Sequence, residues 1–373
     1  MPDEPQPTEP APETSQKVDF PCANCGAKTT WDPEHDMLAC EHCGTKTPVP
    51  RGEGTIVERA LEDAGTAARG LGLELRAAKC ANCGARVCFS TSSTAERCVY
   101  CGSSNVLAQE ANRNALRPES LVPLDLSRKQ VEESFRKWVR SLWFRPSELE
   151  QTKHLHALGI YVPFWTFDCR VHSDWSADAG HYYYVSVPRM VVVNGKPRMH
   201  MVQERRIRWV PAFGRRDDAY DDDLVCASGL APELMRKLGG FETRALVPYR
   251  PEYLAGWHAE EYQLDLEQAW ARSQATVVEA QKSRCAGDVP GDTHRNLRVQ
   301  NTITGVRWKH VLLPVWSLQY RFKSETYTVL VNGQTGCVAG KAPISWAKVA
   351  LVVLLVGLVV LAGVAVFAAG GMG

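Results

Sequence analysis

CANCGAKTTWDPEHDMLACEHCG, residues Cys22–Gly44, and CANCGARVCFSTSSTAERCVYCG, residues Cys80–Gly102, align without a gap. Each reads C-x2-C-x14-C-x2-C, and a glycine follows every second cysteine (Gly26, Gly44, Gly84, Gly102). Four thiolates at this spacing can close a tetrahedral site around one metal ion, the arrangement of a structural zinc ribbon. The glycines fit tight knuckles that need positive φ. In the first module the stretch between the knuckles predicts a small hairpin, with strands at Lys28–Trp31 and Met37–Cys40 about a turn at Asp32–Asp36. So small a hairpin has almost no core, so ligation would supply much of its folding energy. The expected ligands are Cys22, Cys25, Cys40 and Cys43 in one site and Cys80, Cys83, Cys98 and Cys101 in the other, with two structural zinc ions as cofactors. Rubredoxin-like iron shares the ligand set, and disulfides would need an oxidising compartment. His35 and His42 are expected on the surface, because four cysteines already complete the first site, and Cys88 is expected as a strand residue. A closed four-thiolate site has no open position for substrate, which points to support or partner binding rather than catalysis.

Local charge separates the possible partners. The first module sets Lys28 against Asp32, Glu34, Asp36 and Glu41. Four thiolates on one zinc ion add about −2 more, a field that repels phosphate. The second module carries Arg86 and Arg97 against Glu96, with Lys79 just outside. Nucleic acid is therefore the disfavoured partner and protein the favoured one.

Outside the modules the 373 residues are ordinary for a globular protein, at 45% hydrophobic and 23% charged, with a formal net charge of +1. That balance supplies no global basic field. Residues 1–20 are acidic and proline-rich, which predicts disorder, and they lack the basic start and apolar stretch of a secretory leader. Thirteen cysteines without such a leader read as metal ligands and cytosolic thiols rather than disulfides. The run VALVVLLVGLVVLAGVAVFAA, Val349–Ala369, holds no charge and no proline. At about 1.5 Å per residue it matches a bilayer core of about 30 Å. Trp346 sits where an interfacial aromatic would, and Lys341 and Lys348 precede the span. The expectation is a C-terminal tail anchor over 346–370, a single pass through the cell (inner) membrane with the N-terminal bulk in the cytoplasm.

The expected organisation is α+β: ribbons at 21–48 and 79–108, a linker over 49–78, and a third region over 115–340 that divides near 245 into two similar halves. In the linker, Thr55–Ala68 reads as a short helix, with Thr55 as cap and Glu58 three residues on. The first half of the third region shows a helical pattern at Val131–Trp143, then the strand-like GIYVPFWTFDCRV at Gly159–Val171. The second shows a helical pattern at Leu264–Lys282, then VLLPVWSLQYRF at Val311–Phe322. Asn194-Gly195 and Asn332-Gly333 are hairpin turn signals. The predicted unit is a helix laid on an antiparallel sheet, present twice. Trp165, Trp175, Trp209, Trp257, Trp308 and Trp316 read as sheet core, and Arg215–Asp223 (RRDDAYDDD) as a solvated loop rather than a calcium site. His154 and His156 lack a metalloprotease frame, and no phosphate loop, nucleophile elbow or kinase set is present, so no catalytic residues are assigned.

The CxxCG modules are followed by LVPLDLSRKQVEESFRKWVRSLWFRP (Leu121–Pro146), GIYVPFWTFD (Gly159–Asp168), VPYRPEYLAGWHAEEYQLDL (Val247–Leu266) and VNGQTGCVAG (Val331–Gly340). Over residues 20–345 this arrangement resembles a bacterial family of zinc-ribbon membrane proteins, described as containing a transcription-factor-IIB-type zinc-binding domain. Some members are labelled primosomal or replication helicase-like. No Walker motif is present here, so a helicase label has no ATPase behind it. Some relatives lie beside phage-shock-type membrane-stress proteins, and members vary in their number of ribbons and spans. The VNGQTG ending is similar to that of small cystatin-like α+β domains. The resemblance implies a membrane-associated, non-enzymatic adaptor or scaffold that holds a protein partner at the membrane. The competing expectation is a nucleic-acid-binding ribbon protein of transcription or replication type.

Overall fold

The structure, a computed structural model, describes residues 20–370 apart from 51–53, 74, 91–96, 153–154, 194–195, 231 and 324. The acidic stretch expected to be disordered lies outside these residues, apart from Phe20. The first ribbon is a three-stranded antiparallel sheet of β1 (Thr29–Asp32), β2 (Met37–Cys40) and β3 (Lys46–Pro48), in that order. β4 (Arg59–Ala60) follows, then the second ribbon with β5 (Leu75–Cys80), β6 (Arg86–Ser90) and β7 (Val106–Glu110), and then the two-residue β8 (Ser120–Leu121). The third region runs α1 (Arg128–Ser141), β9 (Leu155–Val193), β10 (Lys196–Cys226) and α2 (Pro232–Lys237). It continues through β11 (Val247–Pro248), β12 (His258–Glu260), α3 (Leu266–Asp288), β13 (Thr293–Phe322), β14 (Glu325–Asn332) and β15 (Val338–Gly340). α4 (Trp346–Gly370) closes the described chain.

β9 and β13 are the spine. They pair antiparallel from Leu155 opposite Tyr320 to Gly180 opposite Thr293, with bulges at Arg295/Arg298 and Thr304/Arg307. Asn296 (φ 56°) and Gly305 (φ 62°) lie within these bulges, in the left-handed conformation such an extra residue often takes. β10 flanks β9, and β14 followed by β15 flanks β13. The order helix, long strand, return strand thus occurs as α1–β9–β10 and again as α3–β13–β14.

The central stretches are buried without alternation because both faces are covered. Tyr161, Leu312, Trp316 and Tyr320 pack with Val131, Phe135 and Val139, the apolar stripe of α1. Ser127 starts that helix with a reciprocal capping box to Gln130. On the opposite face Ile160, Val162, Val311 and Leu313 pack with Met235 and Leu238 of α2 and with the second ribbon. α3 is capped by Asp265, whose side chain accepts from the Gln268 amide. It lays Ala269, Val277 and Cys285 over the sheet beyond.

Four expectations change. Thr55–Ala68 contains β4 and a short 3-10 turn at Leu61–Thr66, and Ala60 stands at its start with no side-chain cap. β4 is recruited instead by β13, with Arg59 opposite Trp308. The run Arg215–Asp223 is not a loop but part of β10, bulged between Tyr220 and Asp223, where Asp222 has φ 54°. Several of its aspartates find partners on the same strand or on neighbouring elements: Asp218 with Arg216 and Arg284, Asp222 with Lys309, and Asp223 with the Ser273 hydroxyl. Asn332-Gly333 opens a longer turn rather than a two-residue one. The Asn332 side chain caps the amides of Gln334 and Thr335, and the Gly336 amide closes on the Asn332 carbonyl. Asn194 and Gly195 lie outside the described residues, but Val193 and Lys196 on either side are paired. Among the tryptophans, Trp165, Trp175, Trp308 and Trp316 are buried, whereas Trp209 and Trp257 are only half-buried. His154 lies outside the described residues, and His156 is an exposed residue of β9.

The first ribbon is pinned to this core by Trp31, which is 2% exposed. Its ring meets Tyr253 edge-on at 4.6 Å, and its amide donates to the Ala255 carbonyl. The Trp257 indole donates to the Trp31 carbonyl at 3.1 Å. Gly256, at φ 78°, permits this approach, because a Cβ there would lie 2.7 Å from Thr30 Cγ2. Trp31→Ala is expected to cost about 3–5 kcal/mol in denaturant unfolding. It should also remove hydrogen-exchange protection from residues 20–49 before the rest of the chain.

Candidate metal centres

Four knuckles repeat one geometry. The amides of Cys22, Cys40, Cys80 and Cys98 donate to the carbonyls of Ala27, Thr45, Ala85 and Ser103. The amides of Gly26, Gly44, Gly84 and Gly102 donate back to the four cysteine carbonyls. All four glycines lie at φ 70–79°, so any side chain there would be strained.

These knuckles bring the eight expected cysteines into two groups of four, with the Sγ atoms of each group all within 4.8 Å of one another. Cys22–Cys43 and Cys83–Cys98 are 3.5 Å apart, and Cys25–Cys40 and Cys80–Cys101 are 3.6 Å apart. A tetrahedron with Zn–S bonds of about 2.3 Å has edges of about 3.8 Å, so either cage accepts an ion of that size. The donor chemistry agrees. Sulfurs this close hold protons between them: the Cys98 thiol falls to about 5, chiefly because Cys83 donates to it, while that bond and burial push Cys83 far up. Cys43 falls to about 5 because the Thr45 hydroxyl and amide donate to it. A bound cation replaces the shared protons and makes four ligating thiolates. Neither histidine of the first module joins its group, since His35 Nδ1 lies 2.6 Å from Asp32 and His42 is exposed.

The two sites differ in setting. In the first, Cys25 is exposed and the three strands form a sheet of their own, which meets the core through Trp31, Leu38 and Val49. In the second, the Cys80 and Cys98 side chains belong to the same apolar cluster as Ile160, Val162, Val311 and Leu313. Its strands are continuous with the main sheet: β6 pairs β12 with Cys88 opposite Ala259, and β12 pairs β9. Gln319 donates to the Cys98 carbonyl at 3.0 Å, and the Ser317 hydroxyl donates to the Val99 carbonyl.

Behind the second site lie two acids that the motif reading did not assign. Glu260 is 2% exposed and accepts from the Tyr100 hydroxyl at 2.8 Å, the Ser228 hydroxyl at 2.7 Å and the Gly229 amide at 3.0 Å. Burial pushes its carboxyl up to about 7, against the pull of those three donors. Glu261 pairs with Arg86 at 2.6 Å and accepts from the Cys88 thiol at 3.2 Å. Arg86 is therefore occupied, and Cys88 is a strand thiol outside the metal cage. The cue was two adjacent acids inside the apolar-flanked HAEEY (His258–Tyr262).

α4 stands outside the core. It is one helix long and apolar enough to cross a membrane, and none of its apolar window Trp346–Gly363 is buried. The Ser345 amide just before it donates to the Phe144 carbonyl, which ties its start to the segment that follows α1.

The chain is 28% identical over 335 residues to the uncharacterized protein YdjG of Bacillus subtilis (strain 168), covering 89% of this chain and 92% of that one. No protein-family profile matches the chain, and no solved structure matches it. Four-cysteine sites on small β modules together with an apolar C-terminal helix fit a zinc-ribbon, membrane-anchored protein.

The different settings of the two sites lead to separable outcomes. Cys25→Ser should release one metal ion and loosen the first ribbon alone. Cys83→Ser should release one ion and lower the melting temperature of the whole chain, because its cage is part of the main core. Metal counting with thermal unfolding of both variants reads this. Glu260, with its carboxyl raised, adds stability that is complete below its unfolded value of 4.5 and is lost as pH rises through 7. At saturating metal the wild type should lose about 3 kcal/mol between pH 4.5 and 8 relative to Glu260→Gln. Denaturant unfolding of both proteins across that range measures the difference.

Proposed function

We propose that the chain is a membrane-anchored zinc-ribbon adaptor, with zinc in both cages and α4 holding the folded bulk at the cytoplasmic face of the cell membrane. The observation that carries this reading is the combination of two closed four-sulfur cages seated on one core with an apolar helix that leaves the core directly. Closed cages offer partners a rigid surface rather than an open coordination position. The solvent side of the first ribbon is the docking face we assign to a protein partner. Glu34, in the turn between β1 and β2, and Glu41 and His42, in the knuckle between Cys40 and Cys43, are exposed, on a module whose metal charge adds to its acidity. A partner with a basic patch fits it. The same charge weighs against nucleic acid at this ribbon. The resemblance to ribbon proteins of the transcription-factor-IIB type fits the knuckle geometry, and the adaptor role is in keeping with a membrane stress response.

The test is in-cell crosslinking of the full chain followed by detergent extraction, comparing wild type with Glu34→Lys/Glu41→Lys. A specific protein partner recovered with wild type and reduced about tenfold or more with the variant is expected, since two charge reversals at a rim remove steering and add repulsion. Equal recovery with both, or recovery of nucleic acid instead, would overturn the assignment.

A further inference from the structure

Past Gly180 the sheet narrows to two strands. Thr293, opposite Gly180, begins β13, so β9 runs on to Val193 paired with β10 alone. At about 3.3 Å per residue this arm extends roughly 40 Å. Its base is fixed by Trp209, whose ring packs over Gly180, with the Arg295 guanidinium 4.2 Å from the ring centroid.

The register sorts the arm's side chains onto two faces. Opposed residues of an antiparallel pair share a face, and alternate residues along a strand share it too. Tyr182, Tyr184, Pro188 and Met190 therefore stand with Met199, Met201 and Ile207. Tyr184 is 64% exposed, and Met190, Met199 and Met201 are 61–69% exposed. Phe213, opposite Ser176 on the same face and 84% exposed, carries the apolar strip down from the arm. The one basic residue here, Arg205, lies over the Tyr182 ring at 4.3 Å. The other face carries Arg189, Arg198, Arg206 and Arg208, all exposed, with Arg206 3.5 Å from Glu204, among the partly exposed Tyr183, Val185, Val187 and Val202. From 181 to 209 the sequence has six basic residues against one acidic, Glu204, in a chain whose net charge is +1.

We propose that this arm is a lipid-contacting element that seats on a bilayer surface bearing anionic headgroups. The Met–Tyr face enters the boundary between headgroups and acyl chains, and the arginines of the opposite face lie among the headgroup phosphates. The inference rests on the membrane-anchored reading only in that α4 brings the chain to a bilayer. Several observations favour lipid. An element with exposed methionines and Tyr184 on one face, and four exposed arginines over a valine layer on the other, resembles interfacial amphipathic segments. A two-stranded ribbon is narrow enough for arginines to reach around its edges to phosphate. Unbranched methionines fit a disordered surface without a fixed partner shape. A nucleic acid docked on the basic face would leave the Met–Tyr strip in water, and a protein docked on that strip would leave the arginines unmatched.

The test uses the full chain with Met199→p-benzoylphenylalanine, reconstituted into vesicles of phosphatidylcholine alone or with one-third phosphatidylglycerol. Carbonate extraction first reports whether α4 is integrated, which is the anchored reading by itself. Photolysis and mass spectrometry then report what the arm touches. Expected are lipid adducts in the anionic vesicles, several-fold fewer in neutral ones, and about tenfold fewer when Arg198→Glu, Arg206→Glu and Arg208→Glu are added. That variant should retain two bound metal ions and its melting temperature, which separates lost contact from lost folding. If α4 is integrated but the adducts are absent, equal in both lipids, formed with a second copy of the chain, or diverted to added RNA, the proposal is wrong.

Discussion

Two of the four sulfurs in the second cage lie inside the apolar cluster that covers one face of the β9–β13 pair. Much of the structure depends on that arrangement. Thiolates cannot lie against Ile160 and Val311 uncompensated, because buried charge without a partner is expensive. Four thiols within 4.8 Å of one another can share protons, as Cys83 does with Cys98, or they can share a cation. The cation leaves the cage closed and its charge spread over four soft ligands. The second ribbon then acts as a piece of core. It fixes β6, β6 fixes β12, and β12 pairs β9 along the stretch where β9 and β13 are most deeply buried.

The first ribbon is attached differently. It has its own small sheet; Trp31 joins it to Tyr253, Ala255 and Trp257, and Leu38 and Val49 are buried in the same cluster. Its apolar contacts fall in the cluster on the α1 face of the spine, whereas the second ribbon's fall in the cluster on the opposite face. The two modules share a motif but not a mechanical role. One is part of the structural core, and the other is a separate small sheet packed on the α1 face, with exposed acidic residues. The β9–β10 arm and α4 add two further elements whose apolar side chains the core does not cover.

How much of this was legible follows from how local each signal is. The knuckles are local: two cysteines and a glycine within five residues determine a backbone loop, so spacing alone brings the eight cysteines into two groups. The helical patterns at Val131–Trp143 and Leu264–Lys282 are local too and fall on α1 and α3, although the caps Ser127 and Asp265 that start those helices were not read. The misreadings came from long-range partners. RRDDAYDDD has the composition of a solvated loop, yet β9 on one side and Arg284, Lys309 and Ser273 from α3 and β13 supply what its aspartates need. Thr55–Ala68 has a helical cap pattern, but an open edge of β13 draws Arg59 and Ala60 into a bridge. Asn332 reads as a tight-turn residue because the sequence does not show that its side-chain amide will donate to the distant Leu238 and Gly240 carbonyls. The burial of Glu260 was invisible for the same reason, since its three donors come from residues 100, 228 and 229. The arm was least legible of all, because its length is set by where β13 begins, more than a hundred residues later.

The two cages underlie both the fold and the proposed role, and X-ray absorption at the zinc edge of the purified full chain, together with a metal count, tests them most directly. Two zinc ions per chain are predicted, each with four sulfur neighbours at about 2.3 Å and no lighter ligand. Fewer than two ions, or a shell containing nitrogen or oxygen, would contradict this.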